Sequence, residues 1–127
     1  MQRFTDLKLW QRRHALVLEV YTVTAGFPIS ERYGITGQPH RRAALSVSTN
    51  VAEGSKRQAN AEYCRFINIA ESSLAETESL LIVSRDLEYL PVGVADRLLS
   101  EVSAVARMLH TLRVRVAAST HGTRHQP

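Results

Sequence analysis

Five histidines, one cysteine and twelve carboxylates are the side chains of this 127-residue chain that could catalyse a reaction or hold a metal. His121 and His125 stand four apart, a spacing that offers two imidazoles to one ion on a helix. They fall in a polar tail with no carboxylate or cysteine nearby, so the ligand set is incomplete. A di-metal bundle needs Glu-x-x-His patterns on facing helices. Glu71, Glu76 and Glu78 crowd one segment, yet no acidic residue stands three before a histidine. Cys64 lacks a base at a telling spacing and reads as a small apolar residue of a helix. There is no glycine-rich phosphate loop and no Gly-x-Ser-x-Gly elbow. His14, beside Trp10 and Val17, reads as a partly buried, hydrogen-bonded core residue. His110, after Leu109, is either interfacial or solvated. The expectation is a protein that is not an enzyme and uses no metal or cofactor.

The cations are more suggestive. Arg12-Arg13, Arg41-Arg42 and Lys56-Arg57 form three basic doublets, and Arg65 follows. Residues 1–65 carry ten Lys/Arg against five Asp/Glu, whereas residues 66–127 carry six against seven. A basic front half suits a polyanion-binding face, although exposed helix faces also use arginine simply for solvation. Adjacent helical residues point about 100° apart, so each doublet aims one side chain squarely at a given face. Arg12, Arg13, Arg41, Arg42, Lys56, Arg57 and Arg65 are the candidate phosphate partners. With only 6% aromatic residues for stacking, they would neutralise a nucleic-acid backbone with little reading of bases.

Helical periodicity runs through the whole chain. In the first segment Leu7, Trp10, His14, Val17, Tyr21 and Thr24 repeat at alternating spacings of three and four, and Leu9, Leu16, Val20, Val23 and Phe27 form a second stripe. Two apolar stripes imply neighbours on more than one side, as in a bundle or a bundle that oligomerises. This helix is expected over about 6–25, capped by Thr5 or Asp6 and ended by Gly26. Residues 28–34 read as a connection. Thr36 is the expected cap of the second helix, with Pro39 tolerated in its first turn and Gly54 as a left-handed stop. Its inner surface is rich in small side chains: Ala43, Ala44, Ser46, Ser48, Val51 and Ala52.

The polar stretch from Ser48 to Gly54, with Asn50 and Glu53 on one face, is either a partner contact or a network setting helix register, and Glu76 could meet Arg41 or Arg42 across the bundle. Asn60 is the expected cap of the third helix, with Phe66, Ile69, Ala70, Ser73, Leu74, Leu80 and Leu81 inward and an end near Leu87. The fourth is expected over about 94–118, with Leu98, Leu99, Val102, Val105, Leu109, Leu112 and Val116 at core spacing.

The predicted fold is all-α, an antiparallel up-and-down four-helix bundle over residues 1–118, with a disordered polar tail over 119–127. An apolar content of 44% excludes a disordered chain, and a single cysteine excludes a disulfide framework. Uncharged apolar runs reach only four residues, as at Ala15–Leu18, too short for a bilayer. The start shows no secretory signal, so a cytoplasmic protein is expected.

Several stretches together resemble a known family. Asp6-Leu7-Lys8-Leu9-Trp10-Gln11, Phe27-Pro28, Glu31-Arg32-Tyr33-Gly34-Ile35-Thr36, Arg41-Arg42-Ala43, Asn50-Val51-Ala52-Glu53-Gly54 and Ser73-Leu74-Ala75-Glu76 look like the 23S ribosomal RNA intervening-sequence proteins, in order over about residues 4–90. That family is similar in fold to the accessory variability determinant proteins of diversity-generating retroelements. The resemblance implies a bundle that assembles as a homo-oligomeric ring, a pentamer, with a basic surface for RNA or DNA, and it supplies no catalytic residues. The chain departs from the usual pattern at Ser48, where relatives commonly have proline, and at Pro39, where they commonly have an aliphatic residue. The other reading, from a different class, is a structural or protein-interaction module, for example a partner of a reverse transcriptase, with no direct nucleic-acid role.

Overall fold

The computed structural model describes residues 4–32, 34 and 37–119. Among them lie four long helices, α1 (Phe4–Thr24), α3 (Gly37–Gly54), α4 (Asn60–Asp86) and α5 (Val92–Ala117), and one short helix, α2 (Ile29–Arg32). The α2 turn occupies part of the stretch read as a plain connection. It packs on α3. The tail, the His121–His125 pair and the capping role of Thr36 lie outside the described residues.

Cross-helix contacts fix the direction of each helix. Between α1 and α3, Arg13 meets Ser48 while the later Thr24 meets the earlier Arg41. Between α3 and α4, His40 meets Ser84 and Ser46 meets Ser73. Between α1 and α5, Asp6 meets Arg115 and Glu19 meets Arg97. In every pair one residue number rises as the other falls, so neighbours run antiparallel. The packing pairs are α1–α3, α3–α4, α4–α5 and α5–α1, which closes an up-and-down bundle in that order. Among the described residues no helix is long and apolar enough to cross a membrane.

The core selects faces that composition alone could not choose. On α5 the buried residues are Ala95, Leu98, Val102, Val105, Leu109, Leu112 and Val116, close to expectation. On α4 Ile67 is buried where Ile69 was expected, and Ile69 is exposed. Of the second stripe Leu9, Leu16, Val20 and, just past α1, Phe27 are buried and Val23 is half-buried; of the first stripe Val17 and Thr24 are buried. Leu7, Trp10, His14, Leu18 and Tyr21 are exposed instead. His14 is therefore not a core histidine; its ring stacks on Trp10 at 5.0 Å.

The α3–α4 contact depends on small groups. A Cβ added at Gly54 would lie 2.7 Å from Phe66 Cβ and 2.9 Å from Tyr63 Cδ1. Gly54 thus serves close approach rather than a left-handed stop. The polar stretch expected on this helix is a local network: Ser46 bonds Ser73 at 2.8 Å across to α4, and the Asn50 amide donates to the Ser46 carbonyl at 2.9 Å. Glu76 stays exposed on α4, and Arg41 turns to α1 instead. At the end of α4, Tyr89 N–H donates to the Ser84 carbonyl and Glu88 to that of Arg85, with Glu88 itself left-handed at φ 63°.

His40 is the least expected core member. It is fully buried beside Phe27, and Nε2 lies 2.8 Å from Ser84 Oγ. Burial pushes the imidazole down to about 4, against a smaller upward pull from the Leu80 backbone.

Two tests follow from this packing. The unfolded chain protonates His40 near its ordinary value of 6.5, while the folded chain resists to about 4. Stability is therefore fully present above pH 6.5 and falls between pH 6.5 and 4, by about 3 kcal/mol from this group. Urea titrations across that window should show the decline in the natural chain and a clearly smaller one in His40→Leu. Gly54→Ala should cost about 1–3 kcal/mol by overpacking, read as a lower urea midpoint.

Candidate nucleic-acid interface

The turn from α3 to α4 gathers cations. After Gly54 the backbone closes tightly, with Ser55 N–H donating to Val51, Lys56 to Glu53 and Arg57 to Gly54. Ala59 then takes an extended conformation and precedes α4 with no side-chain cap. Asn60, expected as that cap, is the first helical residue. Its side chain is buried, and neither amide atom has a hydrogen-bond partner. A helix start without a capping side chain keeps the positive end of its dipole unneutralised from that quarter.

Arg57 and Arg65 flank the Phe66 ring, each guanidinium 4.9 Å from its centroid. The cause is local: α3 and α4 approach closely at Gly54, which seats Phe66 at the turn. Arg65 lies one residue before it on α4, and Arg57 precedes the helix. Arg65 also donates to Glu62 at 3.1 Å, which holds that carboxyl below the usual range. Lys56 is exposed beside them. Three of the seven candidate cations thus share one end of the bundle.

The other four are dispersed. Arg41 and Arg42 lie at the far end of α3; Arg42 stands twelve residues before Gly54, about 18 Å along the helix axis. The Arg41 Nε donates to Thr24 Oγ1 at 2.9 Å, and its guanidinium sits 5.2 Å from the Tyr21 centroid. Arg42 is exposed. The Arg12-Arg13 doublet splits between two seams, as neighbours about 100° apart must. Arg12 turns toward α5 and pairs with Glu101 at 3.4 Å. Arg13 turns toward α3, is only 6% exposed, and its Nε donates to Ser48 Oγ at 3.2 Å. Burial pushes this guanidinium down, against upward pulls from Tyr63 and Asp6. Arg13 is therefore a structural cation of the α1–α3 seam within this chain, and the three doublets do not form one surface. Ser48 supplies the oxygen that receives it.

Two further surfaces are present. One is the exposed α1 strip, part of the pair of apolar stripes that the sequence showed on this helix. The other is a groove of about 180 Å³ between α4 and α5, lined by Glu71, Leu74, Ala75, Glu78, Val102, Ser103 and Ala106. Arg113 reaches Glu71 there at 2.7 Å, and the pairing raises the Arg113 pKa. His110 is exposed and lies 3.3 Å from the Arg113 guanidinium. The small residues of the groove belong to the core-flanking positions of both helices, so only their juxtaposition reveals it. Among the described residues no three His, Cys, Asp or Glu side chains cluster closely enough to share a metal ion.

Comparison with known proteins places this arrangement. The sequence profile of a family described as 23S rRNA-intervening sequence protein matches residues 5–111. A solved structure of a protein with unknown function from the S23 ribosomal protein family of Bacteroides thetaiotaomicron is similar, with a TM-score of 0.81. It is 15% identical, and the match covers 87% of this chain and 99% of that one. At that identity the likeness speaks for the fold. No curated protein matches the chain.

Burial makes a sharp distinction between arginines. Arg13→Ala should lower stability by about 1–3 kcal/mol through lost packing of its stem and a stranded Ser48 hydroxyl. Arg42→Ala should stay within about 0.5 kcal/mol. Urea unfolding of the two variants checks both.

Proposed function

The chain belongs to the 23S rRNA-intervening sequence protein family, and from that membership we propose a non-enzymatic cytoplasmic bundle that assembles into homo-oligomers and binds nucleic-acid backbone. The observation carrying this reading is the pair Arg57 and Arg65 on the Phe66 ring, with exposed Lys56 beside them. Guanidinium groups supported by a ring face are held in place before a phosphate arrives, so less side-chain entropy is lost on contact. The uncapped start of α4 adds potential of the same sign. Glu62 opposes it, but its carboxylate is already satisfied by Arg65. Contacts of this kind favour RNA or DNA through charge and leave sequence unread. A ring, the pentamer that the family resemblance implies, would repeat the same basic end around its axis and multiply weak contacts by effective concentration.

A second reading is a protein-interaction module without a nucleic-acid role. The exposed strip of Leu7, Trp10, Leu18 and Tyr21 favours it, because monomeric proteins seldom leave contiguous aromatic and aliphatic surface in water.

A salt titration separates the two. A fluorescent structured RNA and a DNA duplex are titrated with the natural chain and with Arg57→Glu/Arg65→Glu from low to physiological salt. Removing two duplex phosphate contacts should flatten the log–log salt slope by about 1.8 per subunit engaged. Arg41→Glu/Arg42→Glu, at the far end of α3, should flatten it less. An unchanged slope in the Arg57/Arg65 variant rejects the basic end as the contact. Absence of binding by the natural chain at low salt leaves the interaction module.

A further inference from the structure

Asn60 is a buried amide without a partner. It is 4% exposed, and neither Nδ2 nor Oδ1 has a hydrogen bond among the described residues. Buried amide groups are nearly always paired, so an orphan of this kind marks a place where something else supplies the bonds. Asn60 is the first residue of α4, behind an Ala59 that brings no capping side chain. The helical ladder starts when Tyr63 N–H donates to the Ala59 carbonyl at 3.1 Å, and the N–H groups ahead of it have no acceptor within the helix. Every Cα–Cβ bond of a helix tilts toward its N-terminus, so the Asn60 side chain leans into the space before the first turn. Backbone N–H groups and the Asn60 amide are thus aimed at one quarter.

Cations surround that quarter. Arg57 and Arg65 rest on the Phe66 ring at 4.9 Å, and Lys56 is exposed beside them. Glu62 opposes them from the same first turn, and Arg65 holds its carboxylate at 3.1 Å. The approach runs over the turn before α4, where Ser55, Lys56, Arg57 and Gln58 are all exposed. This short turn has to yield before an anion touches the enclosed amide.

The amide also selects among anions. Nδ2 needs an acceptor, and Oδ1 needs a donor. An internal phosphodiester of RNA or DNA has acceptors alone. A phosphomonoester has three free oxygens and a last proton that titrates at about pH 6, so close to neutrality it offers an O–H as well. Shape agrees with chemistry. An enclosed recess admits the end of a chain, whereas a polymer backbone has to pass through.

We infer that the start of α4 is a socket for a terminal phosphate, whose oxygens meet the first N–H groups of the helix and the Asn60 amide, with Arg57 and Arg65 outside it. The inference rests on the nucleic-acid reading of this basic end and deepens it, because the group recognised is a phosphomonoester and no longer the backbone alone. The end of a nucleic-acid strand and a free mononucleotide carry the same group. Asn60 is the residue that separates this socket from a merely basic surface, since it carries no charge and adds nothing to backbone attraction.

Two short fluorescent single-stranded RNAs, differing only in a 5′-phosphate or a 5′-hydroxyl, are titrated with the natural chain at one salt concentration. The phosphorylated strand should bind about tenfold tighter, the scale of one charge-assisted contact. Adenosine monophosphate should erase that preference at matched ionic strength if free mononucleotides enter, and leave it intact if only strand ends do; both support the socket. Asn60→Ala should remove most of the preference and leave the affinity of the hydroxyl strand unchanged. Its urea midpoint should hold or rise, because a methyl replaces an unpaired amide. Asn60→Asp, with a negative charge in the socket, should also lose the preference, and it decides where circular dichroism shows that the alanine variant is unfolded. Equal affinity of the natural chain for the two strands overturns the proposal without any variant, while a steep salt dependence of both would leave the backbone reading standing. An undiminished preference in a folded Asn60 variant overturns it too. If neither strand binds at low salt the backbone reading falls, and calorimetry with adenosine monophosphate then decides the socket: binding supports it, and no heat overturns it.

Discussion

The close approach of α3 to α4 is the constraint on which the rest of the bundle depends. Ala43, Ala44, Val47 and Gly54 present little bulk from α3, and the α4 backbone comes near enough for Ser46 to reach Ser73. Had α3 carried larger side chains, the axes would separate and those hydroxyls would lose each other. The same approach puts His40 against Ser84 at one end and Gly54 against Phe66 at the other. Phe66 then becomes the platform on which Arg57 and Arg65 converge. A packing requirement among small residues thus positions the cations that carry the functional reading.

Charge follows the same geometry. Adjacent arginines on a helix diverge by about 100°, so a doublet in the sequence becomes two separate environments in space. Arg12 lies in an exposed pair with Glu101, whose worth is small in water. Arg13 lies in a buried seam where its hydrogen bond to Ser48 matters for folding. The turn after α3, where the chain reverses, brings Arg57 of the turn and Arg65 of α4 to one ring. Basic patches on bundles arise most readily at such ends, because the chain there is not bound to the periodicity of one helix.

Two surfaces stand out among the described residues, the basic end around Phe66 and the exposed α1 strip. The basic end consists of Lys56, Arg57 and Arg65 and the strip of residues of α1, so the two readings of function rest on different side chains. The α4–α5 groove sets the small side chains Ala75, Ser103 and Ala106 beside apolar Leu74 and Val102, with Glu71 and Glu78 at its edge.

The long helices were legible in the sequence because spacing within one helix is a local property. Periods of three and four, Gly26, Pro91 and the Ala/Val content of α3 determined four long helices, their order, and nearly every core position of α5. Family resemblance was carried by short motifs whose order the chain also states outright. Rotation of each helix about its axis is not local. Two stripes on α1 recur at helical spacing, and packing against α3 and α5 decided that Leu16 and Val20 face inward while Trp10 and Tyr21 face water. The same rotation buried Ile67 in place of Ile69 and drew Arg13 out of solvent. His40 and Asn60 look like surface residues by type, and they are buried because the elements around them close over them. The sequence by itself determined which segments are helical and which spacings recur along them. Tertiary structure decided which side of each helix meets water, because that depends on the volume of neighbours far away in the chain.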